Sequence, residues 1–136
     1  GVDLDFWKIA MRPGKPLIFG RKKEQRYLGL PGNPVSSLVC SEVYLVPLIA
    51  ALLGVSSSRG ILEGVLGRDL PENDERQEYM RAIFKDGTLV PFDNQDSSIL
   101  SSLAHAEALV IRPARAAATK AGDKCSYIPV VSGADL

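Results

Sequence analysis

The sequence is short of the residues that metal centres and disulfide frameworks need. Its 136 residues hold two cysteines, Cys40 and Cys125, and one histidine, His105. The cysteines lie far apart, with no Cys-x-x-Cys and no neighbouring His cluster, which argues against a structural zinc site or a disulfide scaffold and fits a reducing cytosol. His105 has no second imidazole or cysteine near it in sequence and reads as a packed or solvated side chain. Neither charge is in excess, with 16 basic and 16 acidic residues. Nothing therefore drives the chain as a whole toward nucleic acid or an anionic membrane, and any anion site has to be local. The longest apolar stretch, residues 43–53, falls short of a bilayer span and contains Pro47. The start, Gly1-Val2-Asp3-Leu4-Asp5, is acidic and shows no secretory leader, so a cytoplasmic protein is expected; a first residue other than Met fits a piece of a longer chain. Gly-x-Ser-x-Gly, Walker and strand-borne Gly-x-Gly-x-x-Gly motifs do not occur.

What is present is a globular composition, 46% hydrophobic, sized for one ordinary domain or two small ones. Its organising stretch is Gly29-Leu30-Pro31-Gly32-Asn33-Pro34-Val35-Ser36-Ser37, between a short apolar run and the long apolar stretch 38–53. Pro31-Gly32 is turn chemistry, with glycine able to take positive φ. Asn33 suits a helix N-cap, and Pro34 the first helical position, where a missing N–H costs nothing. The helix start offers amides, with Ser36 and Ser37, to an oxyanion such as phosphate, sulfate or molybdate. A well-capped helix without a ligand satisfies the same residues.

Strands are expected over residues 4–11, 17–20 and 26–30, the last two forming a hairpin. A helix is expected over 34–53, kinked at Pro47 and ended by Gly54. It is apolar on most of its circumference and needs cover on more than one side, so residues 1–54 read as half of an α/β layer domain. Residues 55–59 read as a linker. Residues 60–136 follow a different pattern, with strands at 61–66, 78–84, 88–92, 108–112 and 124–131. Asp86-Gly87 marks a hairpin turn, and a short helix over 99–106 opens at Gln95-Asp96-Ser97-Ser98. That spacing suggests a small β-barrel or sandwich.

Lys8, Arg12 and Lys15 surround the turn Arg12-Pro13-Gly14-Lys15-Pro16. Beside the Asn33 loop they would suit a polyanion, Arg12 through bidentate contacts and the lysines as point charges; a solvated charged turn has the same composition. Arg81 and the Gln95–Ser98 helix start offer a second place for an oxyanion, or a plain N-cap.

The run Phe6-Trp7-Lys8-Ile9-Ala10-Met11-Arg12-Pro13-Gly14-Lys15-Pro16-Leu17, followed by the Gly29–Ser36 loop, resembles the molybdopterin molybdenumtransferase family, which includes bacterial MoeA and the E domain of gephyrin. The resemblance continues through Glu78-Tyr79-Met80-Arg81, Gln95-Asp96-Ser97 and Ala108-Leu109-Val110-Ile111-Arg112-Pro113. It implies the C-terminal half of a three-layer α/β molybdopterin-binding domain (1–54), then a small barrel-like C-terminal β domain (60–136). It also implies Mg²⁺-dependent insertion of molybdate into adenylylated molybdopterin with release of AMP, by a cytoplasmic homodimer that engages neither nucleic acid nor membrane. Under the resemblance, Lys8, Arg12, Lys15, Pro31, Gly32, Asn33, Pro34, Ser36, Arg81 and Ser97 bind substrate. The catalytic acids fall upstream, so the chain is expected to be inactive alone and to hold no metal. Two positions depart from the family: Asp96 replaces the usual Gly, and His105-Ala106-Glu107-Ala108 lacks the usual Asn-Gly. A gephyrin-like dimeric scaffold or peptide-binding module without catalysis is the alternative.

Overall fold

The computed structural model describes residues 1–56, 60–96 and 100–130. The strand expected over 4–11 is two pieces, β1 (Asp3–Phe6) and β2 (Met11–Arg12). Between them Ile9 N–H turns inward to the Lys15 carbonyl at 3.2 Å, so the run leaves one sheet and joins another. β1 pairs antiparallel with β3 (Ile18–Lys22), which forms the expected hairpin with β4 (Gln25–Gly29).

The Asn33 loop then starts a helix built from α1 (Pro34–Cys40), a π-helical turn (Ser41–Leu45) and α2 (Val46–Leu53). Proline explains the interruption. Pro47 has no N–H to give an α-helical ladder, and the extra residue of the π turn sets it in the first turn of α2, where that loss costs little. Gly54 closes the helix in the left-handed region at φ 67°. The continuous helix Pro34–Leu53 is 20 residues and, by length and composition alone, enough to cross a membrane, which corrects the shorter span expected from sequence. Its first turns, however, are core: Val35, Val39 and Cys40 are buried. Ile49, Leu52 and Leu53 of α2 are exposed.

The remaining strands are β5 (Leu62–Val65), β6 (Gln77–Lys85), β7 (Thr88–Pro91), β8 (Ala108–Arg112) and β9 (Lys124–Pro129), with a short α3 (Leu100–Ala104). Asp86 and Gly87 both take positive φ, 49° and 77°, as a tight hairpin turn between β6 and β7 requires. The sheet order is β2-β6-β8-β9-β5, with β7 beside the C-terminal part of β6. Leu66 bridges Leu89, and Gly67 N–H donates to the Leu89 carbonyl at 2.8 Å, so the chain after β5 reaches β7.

β8 is covered on both faces. Ala108 and Val110 pack with Leu66, Leu70, Ala82 and Leu89, while Leu109 packs on the other side with Met11, Leu17, Val39, Cys40, Tyr79 and Ile128. Burial on both faces is why Ala108-Leu109-Val110-Ile111 reads as an unbroken apolar run. The second cluster joins residues from before and after the expected 55–59 linker, of which 57–59 lie outside the described residues. β2 makes the same join by pairing parallel to β6, Met11 with Gln77 and Arg12 with Glu78.

Gly14 sits against this core at φ 115°, where an added Cβ would lie 2.4 Å from Cys40 Sγ. Burial pushes the Cys40 thiol up to about 11. Gly32 has no atom within 4 Å of an added Cβ and is not among the positive-φ glycines; the conformational freedom expected of it is not used. Gly14→Ala is therefore expected to cost about 2–4 kcal/mol through strain and overpacking, and Gly32→Ala to stay within about 0.5 kcal/mol. Urea denaturation of the two variants compares them directly.

Candidate functional site

Side-chain alternation on β6 sets the site. Tyr79 and Arg81 share the face toward Met11, Leu17 and α1, and Met80 and Ala82 the other. A cavity of about 270 Å³ near the start of β6 is lined by Arg12, Pro13, Glu78, Tyr79, Gln95 and Asp96; Arg81 is outside this lining and bonds to two of its members, Gln95 and Asp96. One chain thus brings the turn after β2 together with the segment before α3.

Arg12 is not a free cation. Its Nη1 lies 3.1 Å from Asp74 Oδ2, and its Nη2 donates to Glu78 Oε2 at 3.0 Å and to Asn73 Oδ1 at 3.2 Å. The charge expected to await a ligand is met by two carboxylates, Asp74 from the segment before β6 and Glu78 from β6 itself. Asn73 fixes that segment, donating from Nδ2 to the Arg76 and Pro113 carbonyls at 2.8 Å. Hydrogen bonds from the Arg76 side chain and backbone hold the Asp74 carboxyl below the usual carboxylate range, with the Arg12 charge adding to the effect.

Arg81 is the opposite case. It is 1% exposed, and its bonding partners are neutral: Gln95 Oε1, at 3.4 Å from Nε, and the Asp96 carbonyl, at 3.2 Å from Nη2. Its Nη1 has no hydrogen-bond partner among the described residues. Desolvation holds the guanidinium below its ordinary pKa, and the Asp96 charge works against that fall; an arginine still stays charged across the physiological range.

The helix start has fewer free amides than its sequence suggests. Pro34 has none, Ser36 N–H is capped by Asn33 Oδ1 at 3.1 Å, and Ser37 N–H donates to the Asn33 carbonyl at 2.8 Å. At most the Val35 amide of the first turn is left. Within the loop Pro31 and Ser36 are buried and Gly32 and Pro34 exposed, and none of these residues is in the lining of the cavity. Lys8 and Lys15 are exposed, and Lys8 Nζ sits 4.0 Å over the Trp7 ring. Ser97 lies outside the described residues. Sequence reading missed Asn73, Asp74, Glu78 and the bonding role of Gln95. The first three carry only a local signal of mixed charge, and their partner Arg12 is more than 60 residues away.

Among the described residues no group of three or more His, Cys, Asp or Glu side chains is placed to hold a metal ion, and Asp74 and Glu78 already pair with Arg12. These residues do not fit the Mg²⁺ that the resemblance implies.

Asp74 gives a pH test. Its folded pKa lies below the unfolded value of about 3.9, so its contribution is complete above that value and is lost as pH falls through the folded one. Between about pH 4 and pH 2 the melting temperature of Asp74→Asn is expected to fall less steeply than that of the parent chain. Parallel slopes in thermal melts would remove Asp74 from the acid response.

Residues 63–130 match the family described as the MoeA C-terminal region (domain IV). The molybdenum cofactor synthesis protein cinnamon of Drosophila melanogaster is 36% identical over 115 residues, 79% of this chain and 19% of its own length. The molybdopterin molybdenumtransferase of Bacillus subtilis is 33% identical over 118 residues, 83% of this chain and 27% of its own. The chain thus spans between a fifth and about a quarter of these curated relatives. A molybdenum cofactor biosynthesis protein of Pyrococcus furiosus has the same fold, with a TM-score of 0.81 at 24% identity over 95% of this chain and 46% of that one.

Proposed function

The chain belongs to the MoeA family, and we propose that it acts as the oxyanion-binding part of a molybdopterin molybdenumtransferase, the enzyme that inserts molybdate into adenylylated molybdopterin and releases AMP. The observation that carries this reading is Arg81: a buried guanidinium with neutral bonding partners and one nitrogen unfilled. Taking a cation out of water is costly unless an opposite charge meets it. A tetrahedral oxyanion, molybdate or the phosphate of the pterin, supplies that charge with oxygens suited to a guanidinium.

The other proposed substrate-facing residues divide by what they offer. Lys8 and Lys15 attract the anion from the surface, and Pro31, Gly32, Asn33, Pro34 and Ser36 form the loop that floors the substrate pocket. Ser97 adds a hydroxyl. Arg12 contributes mainly by holding the cavity together, since its own charge is met by Asp74 and Glu78. The carboxylates that activate the reacting groups, and any Mg²⁺, belong to other parts of the enzyme, so the chain alone is not competent.

We further read residues 1–54 as part of a three-layer α/β domain, residues 55–59 as a linker and residues 60–136 as a barrel-like β domain. The exposed apolar residues of α2 support the first assignment, and the Leu66–Leu89 bridge supports the last. A cytoplasmic homodimer that binds neither nucleic acid nor membrane completes the proposal; the burial of Val35, Val39 and Cys40 supports a core role for the long helix.

The test is molybdate-dependent AMP release from adenylylated molybdopterin in the presence of magnesium. It is run on this chain alone and on the chain grafted in place of the matching segment of the Bacillus subtilis relative. Release by the graft only is expected. In the graft, Arg81→Ala should lower turnover about 100-fold or more, as loss of an oxyanion-stabilising donor does elsewhere. Pro34→Leu, at an exposed first helical position, should lower turnover more than it lowers the melting temperature. A folded graft that binds itself but releases no AMP would favour the non-catalytic scaffold.

A further inference from the structure

The edge of β6 at Arg81 is completed by a side chain instead of a strand. β7 accompanies β6 over Ala82–Lys85, from the Ala82–Pro91 pair to the Lys85–Thr88 pair. Phe92 N–H then gives a last main-chain bond to the Arg81 carbonyl at 3.0 Å. The Gln95 carboxamide takes over from there. Its Oε1 accepts from Arg81 N–H at 2.9 Å, and its Nε2 donates to the Arg81 carbonyl at 3.0 Å and to the Phe92 carbonyl at 2.9 Å.

The same Oε1 accepts from Arg81 Nε at 3.4 Å, and the next residue's carbonyl, that of Asp96, accepts from Nη2 at 3.2 Å. One carboxamide therefore ties both the main chain and the guanidinium of a single residue. A free arginine side chain has many rotamers, and each bond that removes some of them makes the remaining donor better placed for a ligand. The donor left over is Nη1, without a partner among the described residues. Gln95 and Asp96 also line the adjoining cavity.

We propose that Gln95 is the positioning residue of the Arg81 anion site and that it leaves Nη1 as the nitrogen that meets the oxyanion. This rests on the reading of Arg81 as an oxyanion ligand. A purely structural Gln95 would complete the sheet edge and do nothing more, and the two roles separate experimentally.

The test uses the 136-residue chain, with molybdate alone as the calorimetric probe and ¹⁵N NMR of the Arg81 Nε–H as a readout independent of ligand. Gln95→Met keeps the length of the side chain and removes its hydrogen bonds. It is expected to speed solvent exchange of the Arg81 Nε–H while the Leu109 and Val110 amides stay protected, and to weaken molybdate binding at least tenfold. Gln95→Glu keeps the acceptor and adds a negative charge. It should retain a protected Nε–H and still weaken molybdate at least tenfold, and this variant decides the matter if Gln95→Met does not fold.

An unchanged Nε–H in Gln95→Met overturns the proposal. So does parent-like molybdate affinity in either folded Gln95 variant when Arg81→Met has lost it, and in that case the anion site itself survives. If the parent chain binds no molybdate, or Arg81→Met binds it as well as the parent, the reading of Arg81 fails and the positioning role falls with it.

Discussion

The arrangement depends on two residues of parallel pairing. After β1 the chain leaves the first sheet, Met11 and Arg12 join the edge of β6, and Arg12 is then held by Asp74, Glu78 and Asn73. Main-chain pairing sets the register, and the ion cluster makes that register specific, because a slip would leave half-buried carboxylates without their cation. Met11 and Leu17 on one side and Tyr79, Leu109 and Ile128 on the other then close a common core. The turn after β2 and the Gln95–Asp96 segment line one cavity across this seam.

The seam also decides which cation is available. Two arginines stand near one cavity, and their surroundings differ in kind. Arg12 is half exposed and faces two carboxylates. Arg81 is buried and faces carbonyl and carboxamide oxygens. Opposite charge neutralises the first as an anion ligand, while neutral acceptors orient the second and leave its charge uncompensated by a hydrogen-bonded carboxylate. The helix N-terminus contributes less than its dipole suggests, since Asn33 and Pro34 satisfy or remove most of its first donors. Arg112 is likewise buried among neutral oxygens, those of Thr119, Pro71 and Ala117. Of the two arginines beside Gln95 and Asp96, Arg81 alone has no carboxylate among its hydrogen-bond partners in the described residues.

Local features were legible from sequence wherever backbone chemistry dictates them. The Asn33 cap, Pro34 at the first helical position, Gly54 at the helix end and the Asp86-Gly87 turn all stand as the residues themselves require. The family resemblance rested in part on the first of these, the Asn33-Pro34 loop, and on the run from Phe6 to Leu17 before it. Less legible were features that depend on what a segment packs against. A single strand was expected over residues 4–11, and it divides because its two ends enter different sheets. A kink was expected at Pro47, and the structure adds a π turn just before the proline that no local pattern announced. The charged stretch around Asp74 carries no local sign that it holds Arg12.

By itself the sequence determined the turns, the caps, the order of strands and helix, and the presence of cations near a capped loop, because each follows from φ preferences, missing N–H groups and short-range periodicity. Only the tertiary structure decided which arginine is paired with carboxylates and which is bonded to neutral acceptors alone, and that a carboxamide fourteen residues along the chain bonds Arg81. The reason is physical. Charge compensation and desolvation are set by neighbours brought together across more than 60 residues of chain, and no local pattern encodes who those neighbours are.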